Sequence, residues 1–79
     1  MIIKTVKFNS GEDVRVFCNK TMCQDFEMDL IRGRYVIDAK SIMGIFSLSL
    51  DSPINLHIYV DSESECQDFL KGIDAFLCK

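Results

Sequence analysis

The chain holds one histidine, one proline and no tryptophan, and it has neither a long apolar run nor a cluster of basic residues. Each shortage excludes a class of function. Crossing a bilayer takes about 18 apolar residues in succession, whereas the apolar opening at residues 1–3 already stops at Lys4. The protein is therefore expected to be soluble, unsecreted and cytoplasmic, without a membrane partner. Nucleic-acid binding draws on lysine and arginine gathered along one face. Here 9 basic residues are scattered among 12 acidic ones, for a net charge of -3. No nucleic-acid partner is expected. A zinc site needs four convergent ligands, and His57 is the only histidine that can contribute. Neither a metal nor another cofactor is expected.

Cysteine is present four times, at 18, 23, 66 and 78, but never as Cys-x-x-Cys. Cys18 and Cys66 fall at apolar-periodic positions, where a free thiol behaves as a small hydrophobe. All four are read as reduced, mostly structural thiols. A thiol-based redox or metal protein built on Cys18 and Cys23, or on Cys78, is the remaining use for them. With 79 residues the chain supports one domain, residues 1–79, and one thin core.

Residues 2–8 alternate, with Ile2, Val6 and Phe8 on one face, which predicts a strand that carries Lys4 on its apolar side. Ser10 is the expected N-cap of a helix that runs to about Cys23, with Glu12 and Asp13 in its first turn. Val14, Phe17, Cys18 and Met22 form its apolar face and Val16 breaks the stripe. Phe26, Met28 and Leu30 mark a second strand, which turns at Arg32-Gly33 into a third at residues 34–38. A short helix begins after Ser41. Pro53 stops it, and Leu56, Ile58 and Val60 alternate with Asn55, His57 and Tyr59 as a fourth strand. A capping box at residues 62–65 opens a last helix with Cys66, Phe69, Leu70, Ile73, Phe76 and Leu77 as one stripe. The order is βαββαβα, an α+β two-layer sandwich with one sheet face left to solvent. There is no internal repeat and no linker.

The most informative segment is residues 39–48, AKSIMGIFSL. It places a serine directly before a helix that is apolar on more than one side. A helix of two turns offers one face to a single sheet, so Ile45 and Leu48 are expected inside and some of Ile42, Met43 and Phe46 outside. An apolar surface beside a hydroxyl suits docking.

Lys40-Ser41-Ile42-Met43-Gly44 followed by Ser47-Leu48, together with the element order, resembles HPr, the histidine-containing phosphocarrier protein family of the sugar phosphotransferase system. The resemblance implies an open-faced, HPr-like sandwich with strand order 1-4-2-3 and three helices on one face. That family carries phosphate on a histidine in a His-x-Arg-Pro motif at the start of its first helix. In an ungapped alignment Ser10 stands opposite the histidine, Glu12 opposite the arginine and Asp13 opposite the proline. The phosphocarrier position is thus degenerate, because serine forms no labile phosphoramidate and two carboxylates repel phosphate. His57, on the polar face of a strand, is read as a solvated residue.

In Gram-positive members the serine of Lys-Ser-Ile-Met-Gly is phosphorylated from ATP by HPr kinase, and the product binds a transcriptional regulator in carbon catabolite repression. Ser41 matches that serine, and Ile42, Met43 and Phe46 match the docking patch. The pattern of losses is similar to the catabolite-repression HPr-like type. Two functions are expected from this reading. One is a non-enzymatic regulatory protein switched at Ser41 and read through Ile42, Met43 and Phe46. The other is a small interaction or assembly module without phosphorylation, held in a homodimer or larger complex by the same helix.

Overall fold

Four strands, β1 (Ile2–Val6), β2 (Met28–Arg32), β3 (Tyr35–Asp38) and β4 (Ile54–Ile58), are present in the computed structural model, which describes residues 1–78, and alternation of apolar and polar residues is strict only in β4. All pairings are antiparallel and the sheet order is β1-β4-β2-β3. Three helices, α1 (Gly11–Met22), α2 (Ile42–Phe46) and α3 (Gln67–Gly72), cover one face. This is the α+β open-faced sandwich expected from the sequence. Arg32 pairs with Tyr35, which leaves a two-residue turn at Gly33-Arg34. Gly33 adopts φ 60°, a conformation that costs a glycine nothing and most other residues something.

The core lies between the layers. Val6, Met28, Leu30, Ile54, Leu56 and Ile58 come from the sheet, and Val14, Phe17, Ile45, Phe69 and Leu70 from the helices. Phe8 packs edge-on against Phe17 with ring centroids 4.9 Å apart, and Phe17 meets Phe76 at 6.3 Å. Lys4 stands on the covered side, as its parity requires. Its Nζ lies 2.7 Å from the Glu63 carboxylate, which accounts for a cation beside apolar neighbours.

Four details differ from the sequence expectation. β1 ends at Val6, and Phe8 turns inward beyond it. β2 starts at Met28, two residues later than Phe26, while β4 starts at Ile54, one residue before the expected alternation, and ends at Ile58, short of Val60. Met22 was expected inside but is 64% exposed, and Thr21 takes the buried place. The face of α1 follows positions 14, 17, 18 and 21, and the Thr21 hydroxyl is satisfied there by the Cys18 and Ala39 carbonyls at 3.0 and 2.8 Å. The last helix is not continuous. A 3-10 turn at Glu63–Cys66 leads into α3, and a second one occupies Asp74–Phe76. Over so few residues an apolar spacing of three or four fits a 3-10 turn as well as an α-helix. The chain then becomes extended. Leu77 bridges to Val6, Lys7 N donates to Phe76 O at 2.9 Å, and Cys78 N donates to Thr5 O at 2.8 Å.

Among the described residues no helix is long and apolar enough to cross a membrane, and no three His, Cys, Asp or Glu side chains converge as a metal site. All four cysteines are free; Cys18 and Cys66 are buried, Cys23 and Cys78 exposed. Burial pushes the Cys18 and Cys66 thiols up from the ordinary 9.0. In the native protein a disulfide-exchange reagent at pH 8 is expected to titrate Cys23 and Cys78 rapidly, and the other two only on unfolding. The raised thiols also fix a sign. Their contribution to stability is fully present below pH 9.0 and is lost as the pH rises through their folded values, because the unfolded chain ionises first. Denaturant midpoints measured from pH 7 upward should therefore fall in the alkaline range; a flat profile would contradict the assignment.

Candidate functional site

Ser41 owes its position to a short connection fixed on every side. Ala39 is fully buried, its N–H donates to Met28 O at 3.0 Å, and its carbonyl accepts from Thr21. The next residue is fastened by backbone and side chain. Lys40 N donates to Asp38 Oδ1 at 2.9 Å, its carbonyl accepts from the Cys18 thiol, and its Nζ reaches Gln24 O at 2.9 Å. Ser41 N then donates to Asp38 O at 3.0 Å. Sequence periodicity gives no sign of this network, because its acceptors are mostly backbone carbonyls.

Ser41 has an extended backbone (φ -100°, ψ 102°), and its Oγ accepts from Gly44 N at 3.2 Å as the N-cap of α2. The side chain is exposed. Ile45 and Leu48 point into the core, Met43 is 78% exposed and Phe46 is 44% exposed. Ile42 is half-buried and packed against the core, so the open part of the surface is formed by Met43 and Phe46. Phe46 also rests on the start of α1. A methyl group at Gly11 would sit 3.4 Å from its Cε1.

Gly44 is the residue whose importance the spacing did not reveal. A methyl group there would fall 2.7 Å from Ile37 Cγ2 and 3.1 Å from Ser41 Oγ. Glycine thus lets α2 approach β3 closely and keeps space beside the Ser41 hydroxyl.

Ser10 caps α1, its Oγ accepting from Asp13 N at 3.2 Å. Asp13 Oδ2 accepts in return from Asn9 N at 2.9 Å. Arg15 is turned to Glu12 at 3.3 Å, with both side chains well exposed. The start of α1 therefore presents a hydroxyl among carboxylates. His57 is register partner to Ile3 and Asp29, on the sheet face that the helices leave open. The sheet itself separates His57 from Ser10 and from α2. A cleft of about 410 Å³ between α1 and α3, lined by Lys20, Cys23, Asp68 and Phe69 among others, includes no residue of α2.

No protein-family model matches the chain, and no curated protein is significantly similar to it.

Three substitutions probe the geometry. Gly44→Ala should lower stability by about 1–3 kcal/mol in denaturant titration, since overpacking against Ile37 outweighs the gain in helix propensity. Ser41→Ala should cost about 1 kcal/mol and Ser41→Asp much less, because a carboxylate also accepts the cap hydrogen bond. Equal losses for both serine variants would contradict the capping role.

Proposed function

We propose that the chain is a non-enzymatic, HPr-like regulatory protein whose Ser41 is phosphorylated by an ATP-dependent kinase of the HPr kinase class. The modified protein is read by a protein partner, of the transcriptional-regulator class, through Met43 and Phe46 with Ile42 at their base. One observation carries this reading. An exposed hydroxyl begins a helix whose next turn offers Met43 and Phe46 to solvent.

The chemistry needs no catalytic group on this chain. The kinase transfers the γ-phosphoryl group of ATP to Ser41 Oγ, ADP leaves, and the hydroxyl proton passes to a base on the kinase. The product carries about -1.5 to -2 charges and three acceptor oxygens. The N–H groups of the first turn of α2 lie beside them, a placement that suits negative charge. A phosphate next to the apolar pair changes what that pair can bind. Carrier chemistry has no comparable support, because Ser10 lacks an imidazole and stands among Glu12 and Asp13.

A second reading rests on a different observation. Ser41 Oγ already accepts from Gly44 N, which is an ordinary structural use of serine. On that reading the domain is an interaction or assembly module without phosphorylation.

Intact-mass analysis separates the two. Incubation with HPr kinase and ATP should add one phosphate to the protein and none to Ser41→Ala. Phosphate gained from enzyme I and phosphoenolpyruvate would overturn the regulatory reading in favour of a carrier. No phosphate in either reaction would leave the unmodified module, whose homodimer form should then show a sedimentation coefficient that rises with concentration.

A further inference from the structure

The sheet face turned away from the helices carries two complete rows across all four strands. Ile3, His57, Asp29 and Asp38 are register partners in one, and Thr5, Asn55, Ile31 and Val36 in the other. Tyr59, just beyond β4, joins the first row by donating its hydroxyl proton to Asp29 Oδ2 at 2.9 Å. Ile3 is 53% exposed, Val36 60% and Tyr59 45%. A solvated sheet face is ordinarily polar, so this apolar share suits a surface that is covered by something.

Its charge says by what. The two rows contain two carboxylates and neither lysine nor arginine. Asp29 and Asp38 are direct partners across β2 and β3, an arrangement of like charges that weakens a sheet. One oxygen of each is engaged, Asp29 by the Tyr59 hydroxyl and Asp38 by Lys40 N, and both donors are neutral. None of the ion pairs among the described residues includes either aspartate. These two rows therefore keep a negative charge that a cationic partner would offset.

We propose that this face docks an amphipathic helix of a partner protein, one whose apolar stripe is flanked by lysine or arginine. Four strands spaced about 4.8 Å apart make a floor about 15 Å wide, which seats one helix about 10–12 Å across. Ile3, Ile31 and Val36 receive the apolar stripe, and Asp29 and Asp38 meet the flanking cations. The helix supplies the third layer that the sandwich lacks. A second copy of this chain fits less well, because face-to-face contact sets the same carboxylates against each other. Anionic lipid and nucleic acid meet the same repulsion. This surface lies across the sheet from α2 and shares only Asp38 with the connection to Ser41, so Asp29→Asn alone keeps the proposal distinguishable from phosphorylation of Ser41.

The test uses the full, isotope-labelled chain and a synthetic helical peptide of about 18 residues with a leucine stripe flanked by lysines, beside a counterpart with glutamates in place of the lysines. The lysine peptide should shift the backbone amide resonances of Ile3, Ile31, Val36 and His57. Asp29→Asn with Asp38→Asn should weaken its binding about tenfold, as expected for two partly exposed charge pairs. Ile31→Ser with Val36→Ser should weaken it as well, and Met22→Ser, an exposed apolar control on α1, should leave it unchanged. The asparagine pair keeps side-chain shape and removes a like-charge contact, so it should fold; thermal unfolding of each variant checks this. Equal binding of the glutamate peptide, or shifts confined to α2, would overturn the proposal. So would concentration-dependent self-association abolished by Val36→Lys, which would assign the face to a second copy.

Discussion

The hydroxyl of Thr21 ties the layers of this protein together. It is fully buried on α1 and donates to the carbonyl of Ala39, whose own N–H is bonded to the sheet at Met28. One alanine is thus held from both sides. α2 begins three residues later, so its direction, the exposure of Met43 and Phe46, and the place of the Ser41 hydroxyl all follow from that contact. A buried hydroxyl that loses its acceptor costs about 1–3 kcal/mol, more than an exposed ion pair contributes. Even the absence of side-chain bulk at Ala39 matters, because its methyl group has no exposed surface.

The second constraint is the close approach of α2 to β3 at Gly44. Ile37 fills the space that a side chain at Gly44 would need. The same absence leaves room next to Ser41. A packing requirement and a chemical opportunity therefore coincide in one residue, and the capping hydrogen bond from Gly44 N joins them. On the proposed function, a phosphate at Ser41 would replace a single hydroxyl acceptor by three oxygens without disturbing the apolar residues that anchor the helix, Ile45 and Leu48.

Strand alternation and cap residues made the architecture legible in the sequence. Met28 and Leu30 flank Asp29, Leu56 and Ile58 flank His57, and Ser10, Ser41 and the Ser62 to Glu65 segment announce helix starts, with the Glu65 carboxylate accepting from Asp61 N and Ser62 N at 2.9 Å. Other features were hidden for physical reasons. Thr21 looks like a polar surface residue until a carbonyl from another element is placed beside it. The broken course of residues 63–76 is invisible to periodicity, since 3-10 and α spacing agree over one turn. At the candidate site, Ser41 and the exposure of Met43 and Phe46 could be read from a helix too short to hide every apolar side chain. The half-buried state of Ile42 could not, because it depends on how closely α2 approaches β3 at Gly44. The two rows of the open face required register, which links residues from four strands that no local pattern connects.

The C-terminal extension along β1 has a consequence for how the chain reaches this structure. β1 pairs with no strand near it in sequence. Thr5 and its partner Asn55 are 50 residues apart, and Val6 waits for Leu77. Closing loops of that size costs chain entropy before the contacts they bring give any return, the kind of pairing that slows folding. Without β1 the edge of β4 facing it is unpaired, so the docking of β1 also shields a strand edge from pairing with other chains.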